Sequence, residues 1–280
     1  MALLAAIVAN DIAAVRTALA SPDVVAHIND AVELDGTTPL IKAVEKGSLD
    51  IVQELLKVRG IDVNAAMMQD TTPLMQASYY GHLEVVQALL AAAEINVNAA
   101  TKQGQTALMG ASFSGHPDIV RVLLAKTGID VNAAHNGGYT ALHFAAEMGH
   151  LDVVRVLLTA PGININAADN EGYTPLYLAA VNGHREIVRA LLADPRLDLT
   201  VRRNDGTPLY ADILTEYRDL YKEVRKNAAY NRRAPAIVAW NRIRSRRRRP
   251  ASATTPIPAT SPAIAGGGRK TRRHRISRKR

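Results

Sequence analysis

Thr174-Pro175-Leu176-Tyr177-Leu178-Ala179-Ala180-Val181-Asn182-Gly183-His184-Arg185-Glu186-Ile187-Val188-Arg189-Ala190-Leu191-Leu192-Ala193-Asp194-Pro195 is the stretch whose reading decides the fold. Thr174 offers an N-cap oxygen, and Pro175 suits the first helical position, where a missing N–H costs nothing. Leu176, Ala179 and Ala180 form a narrow apolar stripe at helical spacing, and Gly183 offers a positive-φ stop before His184. Ile187, Val188, Leu191 and Leu192 give a second amphipathic helix of about two turns, ended by Asp194-Pro195. Two helices this short cannot bury their apolar faces alone, so neighbouring units must stack on them.

Working outward, the same unit recurs. Thr-Pro-Leu or Thr-Ala-Leu begins at Thr38, Thr72, Thr106, Thr140 and Thr174, each 34 residues after the last. The interval also links Gly47, Gly81, Gly115, Gly149 and Gly183, and the leucine pairs at Leu55, Leu89, Leu123, Leu157 and Leu191. It links the apolar-Asn pairs Val63-Asn64, Val97-Asn98, Val131-Asn132 and Ile165-Asn166 as well. A fixed period with registered landmarks predicts an all-α repeat solenoid with one continuous core.

Gly138-Tyr139-Thr140-Ala141-Leu142-His143-Phe144-Ala145-Ala146-Glu147-Met148-Gly149-His150-Leu151-Asp152-Val153-Val154-Arg155-Val156-Leu157-Leu158 resembles the ankyrin repeat almost throughout. The resemblance implies a helix-turn-helix stack with short β-hairpin loops, five repeats over 36–205 and a degenerate N-terminal capping repeat over 1–35. Capping helices are expected over 206–245, where Leu209, Ile213, Tyr217, Leu220, Tyr221 and Val224 mark one amphipathic helix and Pro235 opens a short second one. The family's period is one residue shorter, and the extra residue is expected near Val58-Arg59-Gly60-Ile61-Asp62, lengthening the hairpins slightly. Asn10 stands where other units place Gly. Asp70 occupies a hairpin position at which the family has Gly, at some strain. The family's first-helix His is kept at His143 and replaced by Ile41, Met75, Met109 and Tyr177. Val44, Ser78 and Ser112 replace the second Ala of the Ala-Ala pair, which predicts looser packing.

Composition restricts the function. The 280-residue chain is 48% apolar and has no cysteine, which excludes a disulfide framework, a cysteine nucleophile and any thiolate metal site. Leu3 to Ala9 is too short to span a bilayer, and no other apolar run approaches the roughly 18 to 20 residues required. An intracellular, soluble protein, cytoplasmic or nuclear, follows as an expectation. His82, His116, His150 and His184 occur once per unit, about 10 Å apart by helix diameter. A metal cannot bridge them, and holding the inter-helix turn by hydrogen bonds is their expected role. Asn64, Asn98, Asn132 and Asn166 are expected to tie the hairpin backbone together. There is no nucleophile elbow, phosphate loop or HExxH motif, so the expected protein is not an enzyme and needs no metal or cofactor.

Positions that vary between units are free of the fold's demands. The resemblance implies a binding face made of hairpin tips, the residue before each Thr and the two residues before each Gly-His. The expected protein-binding residues there are Met68, Tyr79, Tyr80, Phe113, Tyr139, Met148 and Tyr173. Five of the chain's 12 aromatics occupy such slots, and aromatics and Met anchor interfaces. The opposing reading has some of them turned inward to pad small Ala and Ser side chains.

Charge divides the chain. Residues 1–224 carry 16 Lys+Arg against 26 Asp+Glu, a balance of −10, and residues 225–280 carry 18 against none. A disordered basic tail is expected over 246–280. Arg246, Arg247, Arg248 and Arg249 form one cluster; Arg269, Lys270, Arg272, Arg273, Arg275, Arg278, Lys279 and Arg280 form another. Each has the composition of a nuclear localisation signal, and both would contact nucleic acid or another polyanion through phosphates without reading sequence. The expected function is therefore a monomeric, non-enzymatic adaptor that grips another protein on its concave face, its tail directing nuclear import or polyanion contact. One alternative is a nucleic-acid-associated protein of chromatin or a virion whose tail does the principal binding. The other is a ubiquitin-ligase substrate adaptor, although no F-box or SOCS-like box follows Thr207.

Overall fold

The computed structural model describes residues 2–202, 206, 208–210, 213 and 217–226. An N-terminal pair, α1 (Ala2–Val8) and α2 (Ile12–Leu19), is followed by the short α3 (Pro22–Ala26). Five helix pairs follow: α4 (Pro39–Glu45) with α5 (Leu49–Leu56), α6 (Pro73–Tyr80) with α7 (Leu83–Leu90), and α8 (Ala107–Ser114) with α9 (Pro117–Leu124). The last two are α10 (Ala141–Met148) with α11 (Leu151–Leu158), and α12 (Pro175–Val181) with α13 (Arg185–Ala193). α14 (Arg218–Lys226) packs on α13.

The helices form two layers. α1, α4, α6, α8, α10 and α12 pack in succession as the inner layer, and α2, α5, α7, α9, α11 and α13 as the outer. Between them the core runs without a break from Leu3 to Tyr221, through Leu40, Leu74, Leu108, Leu142 and Leu176 of the inner helices and Leu55, Leu89, Leu123, Leu157 and Leu191 of the outer.

Local chemistry starts four of the inner helices and stops three of them as the sequence predicts. The hydroxyls of Thr38, Thr72, Thr106 and Thr174 accept from the backbone N–H three residues on, at 3.3 to 3.4 Å. Gly81, Gly115 and Gly149 cap α6, α8 and α10 at φ 83°, 76° and 83°. Asn10 adopts φ 53°, the left-handed geometry that its place in the N-terminal unit requires.

The loops are hydrogen-bonded turns. Thr101, His135 and Asp169 each donate a backbone N–H to the carbonyl four residues on, at 2.8 to 3.0 Å. Among the described residues only isolated bridges form, Met67 with Thr71 and Arg202 with Pro208, and no strand does. The second hairpin is tight in a costly way: Gln69 and Asp70 both have positive φ, 67° and 63°. Glycine stands at the equivalents of Asp70, namely Gly36, Gly104, Gly138 and Gly172. Because a side chain in this region costs about 1 kcal/mol or more, Asp70→Gly is expected to raise the free energy of unfolding by about that amount. Urea midpoints would check this, and an unchanged midpoint would mean that the aspartate's own contacts offset the strain.

Two of the expected loosened positions are polar defects. The hydroxyls of Ser78 and Ser112 are fully buried and make no hydrogen bond. Burying an unpaired hydroxyl costs on the order of 1 to 3 kcal/mol. Restoring the family's alanine by Ser78→Ala or Ser112→Ala should therefore stabilise the fold, by about 1 kcal/mol each, with the two effects additive in thermal or urea unfolding. A loss of stability in either variant would show that the hydroxyl is satisfied.

At the C-terminal end Leu209, Ile213, Tyr217, Leu220 and Tyr221 are buried. Tyr210, which sequence reasoning passed over, is buried too and shares a 2.7 Å hydrogen bond with the Thr174 hydroxyl. The Tyr217 hydroxyl donates to the Ala180 carbonyl at 3.2 Å. The helix expected at Pro235 and all twelve expected basic contact residues, Arg246 through Arg280, lie outside the described residues.

Candidate interaction face

The inner helices end at the residues two and one before each Gly-His, and the free surface of the molecule becomes aromatic there. Met68, Tyr79, Tyr80, Phe113 and Met148 are exposed, whereas Tyr139 and Tyr173 are half-buried. The structure brings most of them together. Tyr79 at the end of α6 stacks on Phe113 at the end of α8, with ring centres 6.2 Å apart and planes 14° off parallel. Tyr80 meets Tyr79 edge-on at 5.4 Å. Tyr173 stacks on Tyr177 at 4.5 Å, two units further along.

Phe144 links the Tyr79–Phe113 stack to Tyr139, and it was missed. Its ring lies 6.0 Å from Phe113, 5.4 Å from Tyr139 and 5.5 Å from His135. A signal for it existed: the series Lys42, Gln76, Gly110, Phe144 and Leu178 varies from unit to unit as freely as the slots used above. In that row Gly110 leaves a gap between Gln76 and Phe144. A cavity of about 440 Å³ opens there, with Met75, Met109 and Gly110 as floor, Tyr79, Phe113 and Phe144 as walls, and Gln76, Gln105, Thr71, Thr101 and Thr106 as a neutral polar margin. A Cβ placed on Gly110 would touch the Tyr79 Cβ at an ordinary 3.7 Å, so the backbone tolerates a side chain at this point. The open space comes from a missing side chain, bounded by rings that are already in position.

Hydrogen bonds hold the scaffold under this face rigid, and they run between units. His82, His116, His150 and His184 donate from Nε2 to the carbonyls of Glu45, Tyr79, Phe113 and Glu147, at 2.9 to 3.4 Å. The rings were expected to hold the inter-helix turn by hydrogen bonds; the turn that each one holds is that of the preceding unit, at the residues that carry the face. The asparagines likewise clamp the next loop. Asn132 donates to the Gly162 carbonyl at 2.9 Å and accepts from the Asn164 N–H at 2.8 Å, and Asn64, Asn98 and Asn166 repeat the pattern.

His143 is the buried polar centre beneath the aromatics. Its Nε2–H donates to the Tyr173 carbonyl at 3.1 Å, so Nδ1 is bare and accepts the Thr140 N–H at 3.1 Å. Burial lowers its pKa. The Tyr139 hydroxyl is pushed up to about 12, by burial first and then by the carboxylates of Glu147, Asp169 and Glu171. Glu147, Asp169 and Glu171 thus set three carboxylates around this end of the face.

Among the described residues no group of three or more His, Asp or Glu is placed to hold a metal ion, and no helix is long and apolar enough to cross a membrane. A family model described as ankyrin repeats (3 copies) matches residues 2–101, 64–135, 94–169 and 134–203. No curated protein matches the chain.

Proposed function

Because the chain belongs to the ankyrin-repeat family, whose repeats are generally protein–protein interaction modules, we propose that it is a non-enzymatic adaptor that docks a segment of another protein in the Gly110 groove. The observation that carries the reading is the groove itself, with its walls of Tyr79, Phe113 and Phe144 already positioned. Pre-ordered rings lower the entropic cost of association, and a buried aromatic anchor is worth about 2 kcal/mol or more on truncation. Met68, Tyr80 and Met148 extend the apolar contact on either side. In this reading the arginine clusters of the C-terminal segment direct the adaptor to the nucleus or to a polyanion.

The test is affinity capture from cell extract with the full chain beside two variants, Phe113→Ala, which removes a wall, and Gly110→Leu, which fills the floor. Circular dichroism establishes first that all three fold. A protein retained by the parent and depleted about ten-fold or more by both variants supports groove docking; equal retention by all three sinks it. The tail reading is tested separately, by the distribution of a fluorescent fusion with and without residues 246–280. Nuclear accumulation that survives the deletion would remove the targeting role.

A further inference from the structure

The row that carries the stacked pair reads Glu45, Tyr79, Phe113 and Glu147 in four successive units. The two rings are thus bracketed by a carboxylate in the unit before and another in the unit after. Glu45 competes with Glu33 for one ammonium, Lys42, whose Nζ lies 3.2 Å from the first and 2.8 Å from the second. That trio is left with one negative charge in excess. Glu147 is half-buried and makes no ion pair among the described residues, and its charge acts on the Tyr139 hydroxyl. Aromatic faces set between carboxylates suit a cation that is flat and weakly hydrated. Guanidinium stacks on Tyr and Phe while pairing with a carboxylate; ammonium, more strongly hydrated, does so less well.

The chain carries such groups itself. Beyond residue 224 it has 18 Lys+Arg and no acid, against a balance of −10 before it. Arg242, Arg244 and Arg246 to Arg249 begin 16 residues after the end of α14 at Lys226, a covalent reach of up to about 55 Å. The groove lies some three helix spacings along the stack from α14, on the order of 30 to 40 Å with the crossing between layers. A tethered segment within reach has an effective concentration of about millimolar, so weak contacts suffice to hold it.

We propose that the Arg242–Arg249 cluster docks on the Glu45–Tyr79–Phe113–Glu147 row of its own chain, so that the free protein masks its partner-binding face. The inference rests on the groove being that face. Tail and partner then compete, and by linkage a polyanion that takes the tail exposes the groove. The adaptor opens where its tail is engaged.

The absence of cysteine makes the test direct. Ser114→Cys, beside Phe113, and Ser252→Cys, just past the arginines, are introduced in the full chain, spin-labelled, and their separation is measured by pulsed electron resonance at 0.1 M and 1 M NaCl. The expected result at 0.1 M is a dominant population below about 30 Å; at 1 M, where the Debye length contracts from about 10 Å to about 3 Å, it falls at least about three-fold. Glu147→Lys or Phe113→Ala should abolish the short population at 0.1 M. A distribution unaffected by salt, or a short population that persists in both variants, overturns the proposal. So does loss of the short distance on dilution with unlabelled chain, which would place a second copy's tail in the groove. The capture experiment separates the two readings: a partner lost on Phe113→Ala with no short population means that the groove binds but is not masked. A salt-sensitive short population with no groove-dependent partner means the reverse.

Discussion

Gly115→Ala is expected to destabilise the fold by about 3 kcal/mol, whereas the same change at Gly128 should cost about 1 kcal/mol. Both glycines have positive φ, 76° and 84°, so both variants bear the left-handed penalty of a side chain. They differ in what the new methyl group meets. At Gly128 nothing among the described residues lies within 4 Å of the new Cβ, but at Gly115 a Cβ would stand 2.6 Å from Nδ1 of His150. That ring cannot retreat without breaking its 2.9 Å hydrogen bond to the Phe113 carbonyl. The Phe113 ring would shift in turn, so the groove should weaken as well. Urea unfolding of the two variants and the parent reads the difference directly. Equal losses would show that the histidine–glycine contact contributes nothing beyond backbone conformation. Gly183 marks where this device ends: Arg218 stands one period after His184, and among the described residues nothing lies within 4 Å of a Cβ built on Gly183.

Stability should fall as pH drops from 7 toward 5, and His143 should account for much of the slope. In the folded chain burial holds its pKa below the ordinary value of 6.5, and a proton on Nδ1 would face the Thr140 N–H, donor against donor. The unfolded chain binds that proton as pH passes through 6.5 and the folded chain does not, so the free energy of unfolding decreases, with a limiting slope of about 1.4 kcal/mol per pH unit. The loss ceases below the folded pKa. His143→Met, which installs the residue found one and two units earlier at Met109 and Met75, should flatten the profile of urea midpoint against pH. The other seven histidines supply a background common to both chains. An unchanged slope in the variant would reassign the pH dependence to them.

The lattice of helices was legible because it is local. Thr174, Pro175, Leu176 and Gly183 state where one helix begins, which face it buries and where it stops, and the 34-residue interval repeats that statement in the four units before it. What touches what across units was not legible. His150 and Asn132 each occur once per unit in a regular place, and periodicity alone does not show that the first reaches back to Phe113 or that the second reaches forward to Gly162. Both bonds depend on how the units stack, a long-range geometry that side-chain identity does not encode. The face was half legible: variability picked out Tyr79, Tyr80 and Phe113, which the structure brings together. Phe144 escaped because it lies inside the first helix, away from the hairpin tips and helix ends that the face was expected to occupy, and the groove escaped because it is made by an absence, Gly110. Tyr210 escaped for the converse reason, an aromatic beside the landmark Leu209 in a unit that had left the pattern.

The histidine and asparagine bonds join residues 30 to 37 positions apart, whichever unit they start from. Among the described residues no contact of this kind skips a unit, so the sequence distance that this part of the chain must close while folding is set by the period and not by the length. Folding speed should then be nearly independent of the number of units. Excision of one whole period from the middle would leave each surviving histidine with a carbonyl and each asparagine with a loop to clamp, since both sides of the cut present the same groups. The scaffold can thus lengthen or shorten by recombination in register, while the aromatic row, which exists in one copy, sets which units must be kept.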